Sequence, residues 1–166
     1  MTSSVGLALL LLLATAATGA FVFWRQRQPA NGPAFSRREL LTVNETEFFG
    51  RLRTALPDYV VLAQVSMGAL LKPTVPSGHK DFWPTRNKIG SKIVDFVVCS
   101  DSMDVVALIE LDDAKHDPAR DAQRDQFTSS VGYWTVRWES AERPDVTEIR
   151  KTIVDVHMRV EGRKPA

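Results

Sequence analysis

A mixed α/β domain, preceded by one N-terminal transmembrane helix, is the fold class this sequence predicts. Three observations point to it. Two apolar, β-branched runs, residues 94–99 and 105–111, flank a polar turn at 100–104, which is the pattern of a hairpin. A helix start at Asp117-Pro118 and an alternating aromatic run at 133–138 follow. Strand, helix and strand then form a crossover, leaving the last strand parallel to 105–111. Ahead of all this, residues 5–24 carry no charge.

That uncharged run is long enough, at about 1.5 Å per residue, to cross a hydrocarbon core of roughly 30 Å. A cleaved signal peptide is the alternative, since residues 14–20 are small. No Lys or Arg precedes the run, and Phe21, Val22, Phe23 and Trp24 resume its hydrophobicity, which favours an uncleaved anchor. Arg25, Arg27, Arg37 and Arg38 all follow it. The positive-inside bias then leaves residues 1–4 outside and the C-terminal domain in the cytoplasm, single-pass at a bacterial inner membrane with the lipid bilayer as partner. Residues 25–39, with two prolines and a glycine, read as a flexible basic linker to a domain over 40–162.

The domain opens with a helix over 40–56, capped by Thr42 or Asn44, whose core stripe of Leu41, Phe48, Phe49, Leu52, Ala55 and Leu56 is interrupted by Glu45. That acid is either a boundary residue or part of a site. A short strand over 59–65 contains Gln64, and 67–71 continues into a helical turn. Residues 72–89 hold Pro73, Pro76, Gly78 and Pro84 and read as an irregular basic loop. Phe82 and Trp83 lie there among Lys80, Arg86 and Lys88. Such a mixture either grips phosphates and stacks bases or anchors a long loop to the body. After the hairpin, the helix from Pro118 stops at Gly132 and carries Arg120, Asp121, Arg124 and Asp125, a solvated face with local ion pairs by the plainest reading. Asp145 with Glu148 marks a final helix, its stripe formed by Val146, Ile149, Ile153, Val156 and Val160. The order is helix, strand, strand, strand, helix, strand, helix on a mixed sheet.

Composition restrains the function. Among 166 residues, 21 are basic and 20 acidic, so net charge carries no nucleic-acid signature. Cys99 is the single cysteine, which excludes an intrachain disulfide and a cysteine-rich zinc site. The informative residues are acids placed in apolar strands. In a hairpin centred near Ser102, residue numbers summing to 204 or 205 face each other. Asp95 and Glu110 satisfy that sum, and Asp112 lies on the same face as Glu110. Three gathered carboxylates repel one another. A divalent cation removes the conflict, and oxygen ligands at this density suit Mg²⁺ or Mn²⁺.

Asp95, the hairpin, Glu110-Leu-Asp112-Asp113 with His116, and the charged helix with Arg120-Asp121 and Arg124-Asp125 together carry a resemblance. With Leu41-Thr42-Val43-Asn44-Glu45, Phe48-Phe49 and Gln64-Val65, the chain resembles the DUF2726 family. More broadly it is similar to the restriction-endonuclease-like superfamily with its PD-(D/E)xK core, relatives of the very-short-patch repair endonucleases. The resemblance covers residues 40–138 and implies a restriction-endonuclease-like mixed sheet flanked by helices. It also implies a metal-dependent phosphodiesterase acting on nucleic acid, DNA above all. By that likeness Asp95 and Glu110 bind the metal, Glu45 is the acid of the first helix, and Gln64 is the glutamine after it. The superfamily's lysine, two residues after the second acid, is Asp112 here. His116 is its substitute as proton acceptor, Asp112 holds a second metal or orients His116, and Lys80, Arg86, Lys88, Arg120 and Arg124 hold the backbone. The missing lysine leaves open two other functions for the fold: a catalytically silent nucleic-acid-binding module, or a protein-interaction scaffold.

Overall fold

The computed structural model describes residues 2–27, 35–112 and 118–162. The chain divides into two compact units, Met1–Arg38 and Glu39–Ala166.

The first unit holds one helix, α1 (Thr2–Arg27). The expected transmembrane helix at 5–24 is not upheld: among the described residues, no helix is long and apolar enough to cross a membrane. Residues 14–20 of this helix are all Ala, Thr or Gly, which add little hydrophobicity, and the Thr15 and Thr18 hydroxyls donate to the carbonyls of Leu12 and Ala14. The single-pass inner-membrane location, which followed from that span, is therefore not supported.

The second unit is a four-stranded sheet flanked by helices. Helix α2 (Val43–Ala55) starts at Thr42, whose Oγ1 accepts from Glu45 N–H while Glu45 Oε2 accepts from Thr42 N–H at 2.6 Å. This reciprocal cap satisfies two amides that the first turn leaves unpaired. Strand β1 (Val60–Ser66) leads into the single turn α3 (Met67–Leu70). Helix α4 (Phe82–Gly90) occupies part of the stretch expected to be irregular. Pro84 is tolerated there because it stands in the first turn, where its missing N–H would have no intrahelical acceptor.

Strands β2 (Ile93–Cys99) and β3 (Val105–Asp112) form the hairpin. Phe96 faces Ile109, Val97 faces Leu108 and Val98 faces Ala107, the register summing to 205; an irregularity at Val98/Cys99 then shifts it to Cys99 facing Val105. Met103 takes φ 66° in the turn between them. Helix α5 (Pro118–Ser129) crosses over to β4 (Thr135–Glu139), which runs parallel to β3 as expected. Gly132, at φ 84°, makes the bend between them that L side chains resist. Helix α6 (Val146–Glu161) begins at Asp145, whose carboxylate accepts from Glu148 N–H at 2.8 Å. The sheet order is β1-β2-β3-β4, antiparallel except for the last pair.

Alternation along the strands builds two cores. Phe96, Val98, Ile109 and Leu111 pack with Phe48 and Leu52 of α2 and Ile149 and Ile153 of α6. Val97, Cys99 and Leu108 pack with Met67 and Ile89, and with Phe127 of α5 at the edge. The second face carries the acids of β3, and α5 lies over it.

Candidate functional site

Glu110 stands between Ile109 and Leu111, whose side chains enter the first core, so its own must leave by the other face. It is 4% exposed. Parallel pairing sets Arg137 of β4 opposite Glu110, with Leu108 opposite Thr135 and Asp112 opposite Glu139. On the other side, the β2–β3 pairing is last seen at Phe96–Ile109. One residue further along β2, the Asp95 carboxylate turns toward β3, and Oδ2 accepts from Leu111 N–H at 2.9 Å. Asp95 therefore does what a backbone carbonyl does elsewhere in the ladder, and it brings a negative charge beside Glu110.

That proximity is visible in the acidity of Glu110. Burial pushes Glu110 up to about 8, Asp95 pushes it in the same direction, and Arg124 and Arg137 oppose the rise. Asp95 is also raised, first by burial; the Leu111 amide opposes this, Glu45 adds to it, and Arg124 and Asp112 act in opposite directions. The two acids thus share a site too poor in water to hold two full charges at ease.

Arginines partly neutralise the cluster. Arg124 of α5 reaches Glu110 Oε2 at 3.1 Å. Arg137 donates to both oxygens of Asp112 at 3.2 Å and to Asp125 Oδ1 at 2.7 Å. Burial works against the Arg137 charge, yet its hydrogen bonds to Asp125 and Asp112 outweigh that and raise its pKa. Asp125 is thereby tied to β4, where the sequence suggested pairing within its own helix.

Glu45 has two structural duties. It completes the α2 cap, and its Oε1 accepts from Gln64 Nε2 at 3.1 Å. Gln64 lies between the pairs Ala63–Phe96 and Val65–Val94, opposite Asp95. Its φ of 53° is unusual for a residue with a side chain and interrupts the strand's alternation. Glu45 and Gln64 therefore form the wall of the acid site on its β1 side.

The other expected binding residues lie elsewhere. Lys80 precedes α4; Arg86 lies over the exposed Trp83 ring, 5.7 Å from its centroid; Lys88 is on the same helix. His116 and the side chain of Arg120 fall outside the described residues. Sequence reasoning missed Arg137. Its signal was available: Val136 and Trp138 are apolar neighbours on one face, so an arginine between them belongs to the face of Glu110 once β3 and β4 are parallel.

Among the described residues, no group of three or more His, Cys, Asp and Glu side chains is arranged to hold a metal ion. Asp95 and Glu110 do fit such an ion as a pair: both are oxygen donors, both are raised by burial, and Asp95 raises Glu110 further. Asp112 is engaged by Arg137.

The family described as "Protein of unknown function (DUF2726)" matches residues 37–156, and the chain belongs to it. No curated protein and no solved structure matches. Nothing in these comparisons links the chain to the restriction-endonuclease-like superfamily, so the α/β fold stands on its own sheet and helices.

Proposed function

We propose that this domain hydrolyses phosphodiester bonds of nucleic acid, DNA being the expected form, at the pair Asp95–Glu110. One observation carries the reading: Asp95 is held by the Leu111 amide beside a Glu110 whose carboxyl is raised to about 8. Structural strands avoid such a pair, because burying a second carboxylate next to a first costs several kcal/mol. Strongly perturbed acids on one sheet face mark a working site more often than a scaffold. The likeness of this acid spacing to the PD-(D/E)xK core supports the same reaction class.

Asp95 and Glu110 would hold Mg²⁺ or Mn²⁺, which polarises a phosphoryl oxygen and acidifies a bound water. The Leu111 amide fixes Asp95 in its rotamer. Holding the cation would require Glu110 in its ionised form, its proton released to solvent, and Arg124 beside it would be placed to donate to a phosphate oxygen. Arg137 keeps Asp112 and Asp125 in place, tying α5 to the edge of the site. The proton of the attacking water goes to an imidazole nitrogen of His116, a role that rests on the family likeness.

The test is cleavage of single- and double-stranded DNA by the full chain with Mn²⁺, beside Glu110→Gln. Cleavage by the parent and none by the variant is the expected result. No cleavage under any divalent metal removes the proposal. The 3.1 Å contact between Arg124 and Glu110 favours one second reading, a silent nucleic-acid binder in which the guanidinium takes the place of the cation. In that case Mn²⁺ leaves the melting temperature unchanged, whereas a bound ion at a hundred times its Kd adds about 2.7 kcal/mol.

A further inference from the structure

The helix that delivers Arg124 to Glu110 also builds a second feature on the same side of the sheet. One turn further on, Phe127 of α5 turns into a cavity of about 230 Å³. Leu71, Ile89 and Val131 supply apolar walls, and Lys72 and Lys88 also line it. Its frame is tied together. Tyr133 Oη donates to the Leu70 carbonyl at 3.3 Å, and Met67 N–H donates to the Lys92 carbonyl at 2.9 Å. Ile89 is buried, while Val131 remains 56% exposed, so the wall it forms is open to solvent.

Size and chemistry select the occupant. The volume lies below the roughly 300–1,000 Å³ of sites for drug-sized ligands, so the guest is about one ring system. An aromatic wall suits a flat ring, and two lysines suit an anionic group attached to it. We infer that this cavity receives one unstacked base of a nucleic-acid strand, with Lys72 and Lys88 on its flanking phosphates. The inference rests on the phosphodiesterase reading and adds the substrate class to it: strands with unpaired bases. In a duplex both faces of every base are covered by neighbours, so only an unpaired or displaced base can enter.

The experiment measures binding of fluorescein-labelled oligo-dT and of a fully paired DNA hairpin to the full chain in EDTA, which keeps cleavage out of the readout. The single strand should bind at least tenfold more tightly than the hairpin. Ser130→Phe, at an exposed position on the cavity lining, should abolish that preference by occupying the space, while hairpin binding persists. Lys72→Gln with Lys88→Gln should lower the salt slope by roughly 0.7 per lysine. Equal affinity for both DNAs overturns the inference, as does a preference untouched by Ser130→Phe. Absence of any DNA binding overturns it together with the phosphodiesterase reading. Base-selective binding without cleavage under Mn²⁺ leaves it standing and retires hydrolysis alone.

Discussion

Replacing Glu110 by Gln should stabilise this protein above neutral pH and do little at pH 4.5. A carboxyl raised from 4.5 to about 8 in the folded state binds its proton more tightly there than in the unfolded chain. Between those two pH values the unfolded state has released the proton and the folded state retains it. The folded state therefore binds more protons, and stability falls as pH rises. At ~1.4 kcal/mol per pH unit the full interval is worth about 5 kcal/mol, nearly all of it expressed by pH 8. A glutamine side chain does not titrate and can still accept from Arg124. Urea unfolding of parent and variant between pH 4 and 8.5, without divalent metal, reads the difference directly. The gap should open steadily in favour of the variant as pH rises. A gap that stays constant, or that closes with rising pH, would refute the claim that Glu110 sits desolvated beside Asp95. With Mn²⁺ present the gap should shrink, because the cation pairs with the parent's carboxylate and finds none at position 110 in the variant.

Three further substitutions test the framework around the site. Arg137→Leu leaves Asp112 and Asp125 without their shared partner; a loss of about 3 kcal/mol by chemical denaturation is expected, with much of it recovered when Asp125→Leu is added. Phe48 is fully buried between Phe96 and Trp138, with ring centroids at 5.9 and 5.6 Å, so Phe48→Ala should cost about 3–5 kcal/mol in the same assay. Thr42→Ala removes one half of the α2 cap; about 1 kcal/mol and a matching fall in melting temperature are expected.

The hairpin, its register and the parallel crossover were legible in the sequence because each depends on local signals. A polar turn at 100–104 fixes which residues face each other, and a helix of about a dozen residues forces the return strand to run parallel. The nearness of Asp95 to Glu110 followed from the same count, although the ladder ends at Phe96–Ile109 and Asp95 bonds the Leu111 amide through its side chain. Helix α4 was not legible. The prolines and glycine of residues 72–89 suggest a loop, and the packing of Ile89 beneath the sheet against Met67 and Val94 overrides that preference. Nor could the uncharged N-terminal run settle whether a membrane is crossed. Absence of charge is a property of composition, and among the described residues no helix is long and apolar enough to cross one.

What the sequence determined by itself is the order of elements and the placing of carboxylates inside apolar strands, since periodicity and turn chemistry are properties of neighbouring residues. What only the tertiary structure decided is who neutralises those carboxylates. Arg137 lies 25 residues from Asp112, and Leu111 lies 16 from Asp95. Electrostatic partners are set by separation in space, and no count along the chain reports that separation until the sheet has closed.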